Sequence, residues 1–178
     1  MALFKIPAFK KAAIGYFGHM WELYAFWAFI PFAIKTYNSI HISHLPFSLW
    51  TFSIIGLGGI SCAIGGHFAL RWGSRKVALI SLLLSGVLCI ASPLFFLLPS
   101  YLFLLAFCLW GMFVVSDSPQ FSTLVASAVP LELKGTALTL VNCIGFSISI
   151  ISIQLLTYWL EVVDSSYIFT LRKGGLNK

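Results

Sequence analysis

Two long apolar runs leave the segment Gly65–Lys76, GGHFALRWGSRK, in opposite directions, and that segment is the only cluster of positive charge between Lys35 and Lys134. The run before it, 47–70, has no Asp, Glu, Lys or Arg until Arg71. The run after it, 77–98, is aliphatic apart from Ser81, Ser85 and Ser92. Each run is long enough to cross about 30 Å of hydrocarbon at about 1.5 Å per helical residue, so the pair predicts a membrane hairpin. Glycines let two helix ends approach and turn sharply. Arg71, Arg75 and Lys76 would hold that turn on the side where cationic loops are retained. On spacing alone, a generic basic loop that only fixes topology accounts for the segment equally well.

Composition leads to the same solvent. Of 178 residues, 60% are hydrophobic and 9% charged, whereas soluble domains are about one quarter charged. A water-facing domain of this length cannot bury so much apolar surface, so the expected partner is the lipid bilayer. The net charge of +6 does not imply nucleic acid, because the cations lie in the gaps between apolar runs. Cys62, Cys89, Cys108 and Cys143 fall within apolar runs without metal or redox spacing and read as small buried hydrophobes. Lys5, Lys10 and Lys11 precede a run that resembles a signal sequence but is too long, and no cleavage site follows. It is expected to remain as a first span.

The expected organisation is all-α and integral to the membrane. A basic segment, 1–11, precedes a bundle over 12–165 with spans at 12–34, 47–70, 77–98, 101–129 and 136–160, and a truncated tail occupies 166–178. The polar stretch Lys35–His44 reads as the first connection. Gly58, Cys62 and Gly66, four residues apart, give the second span one face of nearly bare backbone for close packing. The run 101–129 exceeds the length of one straight span and contains Ser116-Asp117-Ser118-Pro119, where Pro119 predicts a kink or break near Val115 or Ser116. Up to the end of the fifth span, alternation places Lys5, Lys10, Lys11, Arg71, Arg75, Lys76 and Lys134 on one side and only Lys35 on the other. The N-terminus and the basic turn are therefore expected in the cytoplasm, with the chain in the cell inner membrane. Glu161 and Asp164 fall opposite and decide little. Tyr167, Ile168 and Phe169 would begin a sixth span that Leu171–Lys178 stops.

Gly66, Arg71, Gly73, Arg75 and Lys76 fall on the pattern G-x-x-x-D-R-x-G-x-R-R, which resembles the turn between the second and third helices of each half of major facilitator superfamily transporters. Leu70 stands where the family carries an acid, which removes the residue on which its charge relay is built. Gly15–Phe32 is similar to the seventh helix of a bacterial subgroup of these transporters, and Ser116–Ile150 to their tenth and eleventh. The resemblance extends to about Ser165. It implies the C-terminal half of a twelve-helix secondary carrier of a small solute, helices seven to eleven, with the twelfth lost and an N-terminal half supplied separately or absent. Alternating access needs both halves, so the resemblance further implies that this chain does not transport alone. The alternative is a membrane fragment that serves packing or assembly, or an inactive remnant.

The candidate chemistry rests on few side chains. Glu22 lies mid-span with His19 one turn before it on the same face. A carboxylate in hydrocarbon costs ~2.5 kcal/mol or more, so it must face protein, water or a partner. Glu22 and His19 are read either as a proton-accepting or substrate-contacting pair, or as a hydrogen-bonded lock between helices. Asp117, beside the expected break, either faces a cavity or caps the segment that follows. Gln120, one turn on, is a substrate contact or part of that cap. Asn142, Gly145, Ser149 and Ser152 form one small and polar stripe on the fifth span, with packing expected of Gly145 and the serines and a cavity position of Asn142. Tyr16, Trp21, Tyr24 and Trp27 are read either as cavity lining or as lipid-facing bulk, with bulk favoured for each. His41 and His44 lack a third ligand, so no metal site is expected. No cofactor or enzymatic constellation is expected either.

Overall fold

A computed structural model describes the backbone of residues 3–174 and the side chains of residues 3–162. The described chain is helical throughout: α1 (Pro7–His41), α2 (Phe47–Trp72), α3 (Ser74–Phe95), α4 (Ser100–Ser116), α5 (Ser118–Ser127) and α6 (Lys134–Gly174), with short 3-10 turns at Leu3–Lys5 and Leu131–Leu133. Only Asp117 separates α4 from α5, so the architecture is five rods, one of them interrupted.

Four of these rods are long and apolar enough to cross a membrane: Phe47–Trp72, Ser74–Phe95, Ser100–Ser127 and Leu131–Val162. The expected fifth, over 12–34, does not reach that apolar content. Within 12–34, His19 and Glu22, together with the amphipathic Tyr16, Trp21, Tyr24 and Trp27, dilute the aliphatic residues. The stretch Lys35–His44 is also less of a loop than expected, because α1 continues through His41. No glycine or proline lies between Pro31 and Pro46 to stop it. Tyr37 and His41, one turn apart, stack with ring centroids 4.3 Å apart. The helix ends at Ile42, which adopts a left-handed conformation (φ 49°). Asn38 stitches the turn that follows: its Oδ1 accepts from Ser43 Oγ at 2.7 Å and from the Leu45 amide at 3.1 Å, and its Nδ2 donates to the Leu45 carbonyl at 2.8 Å.

α6 also extends past the expected end at residue 160 and remains helical to Gly174. Neither proline nor glycine interrupts it between Gly145 and Gly174, so nothing local ends it earlier. The side chains of the tail read at 166–178, and that of Asp164, lie outside the described residues, as do residues 175–178 altogether.

The α4–α5 rod is the centre. Half of its most apolar window is buried, 50%, against 17% in α2 and 22% in α3. α2 packs along α4, α1 along α6, and α5 touches α1, α3 and α6. Glycines permit the closest of these approaches. A methyl group on Gly58 would stand 2.6 Å from Val115 Cγ2, and one on Gly65 would stand 2.8 Å from the carbonyl oxygen of Ser116. The face of α2 that meets α4 is thus Gly58, Ser61 and Gly65, with Cys62 at its edge, its Sγ 3.2 Å from the Val115 carbonyl oxygen; of the expected Gly58, Cys62 and Gly66, only Gly66 is off it and meets nothing within 4 Å. The exterior is apolar: Phe52, Leu83, Val87, Ile90 and Leu97 are all well exposed, a surface suited to lipid contact.

One residue, Gly73, makes the whole turn between α2 and α3. Its φ of 82° and ψ of 143° lie in a region open essentially to glycine alone. Its amide donates to the Ala69 carbonyl at 2.9 Å, and its own carbonyl accepts from the Lys76 and Val77 amides at 3.2 and 3.4 Å. A Cβ at Gly73 would touch nothing within 4 Å, so any cost of replacing it is conformational. Gly73→Ala is expected to destabilise the fold by about 1–3 kcal/mol, measured as a lowered unfolding midpoint in detergent. An unchanged midpoint would mean that the turn has another backbone conformation.

Candidate functional site

The buried apolar residues separate into two cores. One lies toward the Tyr37 end and is aromatic, built on Phe26, Phe95, Phe103, Phe107 and Trp110. The other lies toward the N-terminal end of α1 and gathers Phe9, Tyr16, Phe121, Val125 and Val141. Between them, at the level of residues 19–22 on α1 and 116–118 at the α4–α5 interruption, sits a layer of polar side chains.

His19 is its centre. The ring is 2% exposed, and Nδ1 lies 2.9 Å from Oδ1 of Asp117, whose side chain is equally buried. The contact is at ion-pair distance without forming a well-directed hydrogen bond, and neither atom has another hydrogen-bond partner. On the other side of the ring, Nε2 is 2.8 Å from Ser118 Oγ. A serine hydroxyl can donate to a neutral imidazole or accept from a protonated one. Pro119, which has no amide hydrogen, explains why the rod stops here. α5 restarts with the Asp117 carbonyl accepting from the Gln120 and Phe121 amides, each at 3.0 Å.

Two expectations are corrected by this arrangement. The Asp117 carboxylate makes no capping hydrogen bond to α5; it turns to His19, whose Nδ1 is 2.9 Å away. Nor does His19 pair with Glu22, although both lie on one side of α1; of the readings open for them, hydrogen bonds to neighbouring helices are what is seen. Both imidazole nitrogens are taken up by the α4–α5 interruption, and Glu22, half-buried, accepts a hydrogen bond from Ser85 Oγ on α3. Ser81, one turn before Ser85, is 2.8 Å from Ser116 Oγ. The layer thus ties α1, α3 and the central rod together.

No family model, curated protein or solved structure matches the chain. The site therefore has to be read from its own geometry.

Gln120 is 2% exposed and its Nε2 has no hydrogen-bond partner among the described residues. Asn142 is exposed on α6 and accepts a hydrogen bond from the Tyr16 hydroxyl, and the Tyr16 ring meets that of His19 edge-on with centroids 6.4 Å apart. Gly145, Ser149 and Ser152 are buried, and Gly145 faces Met20 and Tyr16 of α1, so this part of the stripe is a packing surface. Arg71, Arg75 and Lys76 are exposed around the Gly73 corner, away from the layer. A cavity of about 290 Å³ opens beside the layer between α2, α3 and α4, with Ser61, Ser81 and Ser116 as its polar wall and Phe68, Trp72 and Met112 among its apolar lining. No group of three or more His, Cys, Asp or Glu side chains gathers among the described residues.

Ser85, Ser118, Ser81 and Ser116 were not legible as site residues. One signal was present: Ser81 and Ser85 are four apart on an aliphatic helix and so share a face. It became meaningful only once α3 was placed against Glu22 and Ser116.

Proposed function

We propose that this chain is a multi-pass membrane protein and the C-terminal part of a major-facilitator-type secondary carrier, moving a small solute with proton coupling through Glu22 and the His19–Asp117 pair. The observation that carries this reading is the His19–Asp117 contact, 2.9 Å long and buried at an interrupted helix. Ionisable groups at membrane depth are costly and mark pathways for ions or protons, and carriers place their sites at broken helices near the midplane. In this reading α1 crosses the membrane as well, with its polar side chains turned to the bundle. The basic corner at Gly73 faces the cytoplasm of an inner membrane, supported by seven cations on that side against Lys35, Arg172, Lys173 and Lys178 on the other.

The test is uptake of a panel of labelled solutes into proteoliposomes under an imposed proton gradient, with this chain alone and with a companion six-helix half. Uptake is expected only with both halves, and Glu22→Gln is expected to abolish it while membrane insertion is unchanged. Uptake unaffected by Glu22→Gln would remove that residue from the mechanism. Absence of uptake with both halves present would favour the second reading, a packing or assembly unit. The near-complete apolarity of the 290 Å³ cavity supports that alternative, since only three serines there could hold a polar solute.

A further inference from the structure

A second concavity, about 580 Å³ in volume, lies on the opposite side of α3 from the first and is bounded by α1, α3 and α5. α5 forms its floor, because α5 packs against both α1 and α3. Two features make it more than a gap between helices. Lys11 on α1 and Arg75 on α3 line the same groove, so cations from two different elements converge on one mouth. Neither has an ion-pair partner among the described residues, where His19 and Asp117 form the sole pair. Apart from the cations and Ser127 the lining is apolar, with Leu79, Leu82 and Leu124 along the walls. Leu79 and Leu82 are exposed, so this part of the groove is open to whatever surrounds the bundle.

We propose that this groove holds an anionic phospholipid, its phosphate between Lys11 and Arg75 and an acyl chain along Leu79, Leu82 and Leu124. The inference rests on the membrane reading above but on neither proton coupling nor transport. A phosphate group free in solution would satisfy the two cations equally well. The apolar walls leading away from them favour an amphiphile, because a soluble anion would leave that surface unmatched. A guanidinium and an ammonium together suit a phosphodiester, the first by its planar fork and the second as a point charge. Convergence of cations at the end of apolar helices is the pattern by which membrane proteins recognise anionic headgroups.

The full chain is reconstituted into vesicles of equal phosphatidylglycerol and phosphatidylcholine and re-extracted in mild detergent, and its retained lipid is measured by mass spectrometry. The ratio of retained phosphatidylglycerol to phosphatidylcholine, one in the vesicles, is expected to rise at least about fivefold, given the attraction of each cation at a membrane surface. The double variant Lys11→Gln/Arg75→Gln is expected to retain the two lipids equally. A control with the same charge loss outside the groove, Lys10→Gln/Lys76→Gln, should keep the enrichment. Equal loss in both variants would overturn the site in favour of general surface charge. Displacement of the lipid by water-soluble glycerophosphoglycerol at equal concentration would overturn the lipid in favour of a soluble phosphate ligand. A dimer that carries no phosphatidylglycerol would assign the groove to a second copy of the chain and overturn the proposal. Insertion into pure phosphatidylcholine vesicles is scored separately: a chain that inserts there but shows no lipid preference loses only this site, and one that stays in the aqueous fraction loses the membrane reading with it.

Discussion

Asp117→Ala is expected to lower the stability of the bundle by about 1–3 kcal/mol, the cost of leaving the buried Nδ1 of His19 without the group that faces it. His19 would keep only Ser118 on Nε2, and Nδ1, already without a second partner, would face an apolar void. The penalty cannot be relieved by solvent, because both side chains are 2% exposed and apolar cores close the layer on two sides. Removing both partners should behave differently. In His19→Leu/Asp117→Leu no buried Nδ1 remains to be stranded, so the double variant should recover most of the loss. Asp117→Asn should fall between, since an amide oxygen can still face Nδ1 but carries no full charge. The half-buried Cys62 and Cys108 supply a readout, the onset of thiol labelling on heating in detergent. If Asp117→Ala labels at the wild-type temperature, or if the double variant is as unstable as the single one, the pair does not hold the interruption in place. The same series separates stability from transport: a proton-handling role predicts that the double variant folds yet is inactive, whereas a packing lock predicts that it keeps whatever activity the chain has.

The break that creates this pair was legible before any coordinates, because a proline in the middle of an apolar run removes a backbone donor wherever the run is placed. The partner of the broken segment was not. His19 and Glu22 lie at i and i+3 on one helix, and local spacing favours their pairing over any contact 98 residues away in sequence, which is the separation of His19 and Asp117. What decides between them is the way α1 lies against α5, a tertiary fact that follows from Gly15 and Phe121. A methyl group on Gly15 would stand 2.6 Å from the Phe121 ring, so the two helices approach closely one turn from His19. Isolated glycines in an apolar run give little warning of which face they will serve. Helix ends were hard to place for a related reason. Polar residues such as Tyr37, Asn38 and His41 read as a loop, yet they extend α1 because their side chains find partners in the neighbouring turns: Tyr37 donates to the Leu98 carbonyl at 2.8 Å, and His41 Nε2 is 2.7 Å from the Phe96 carbonyl oxygen.

Gly65→Ala is expected to cost about 1–3 kcal/mol, while its neighbour Gly66→Ala should be neutral or stabilising by a few tenths of a kcal/mol to about 1 kcal/mol. The two substitutions are chemically identical and adjacent, so the contrast isolates the face of α2 that meets α4. At Gly65 the new methyl would stand 2.8 Å from the carbonyl oxygen of Ser116, a backbone atom next to the interruption that cannot swing aside as a side chain would. Relief requires α2 to move away from α4, and that movement would also strain Ser61, whose hydroxyl donates to the Met112 carbonyl at 2.8 Å. Displacing Ser116 would in turn loosen its contact with Ser81, so a change on the far side of α4 from His19 should still reach the polar layer. At Gly66 the methyl meets nothing within 4 Å, and alanine there only reduces the freedom of the unfolded chain. The resemblance to the transporter turn gives the opposite ranking, since Gly66 is the motif glycine and Gly65 falls outside the motif. Unfolding midpoints of the two variants decide the matter. Should Gly66→Ala be the damaging change, α2 would be turned by about 100°, one residue's rotation, and the cavity wall at Ser61 and Gly65 would have to be rebuilt from the residues beside them.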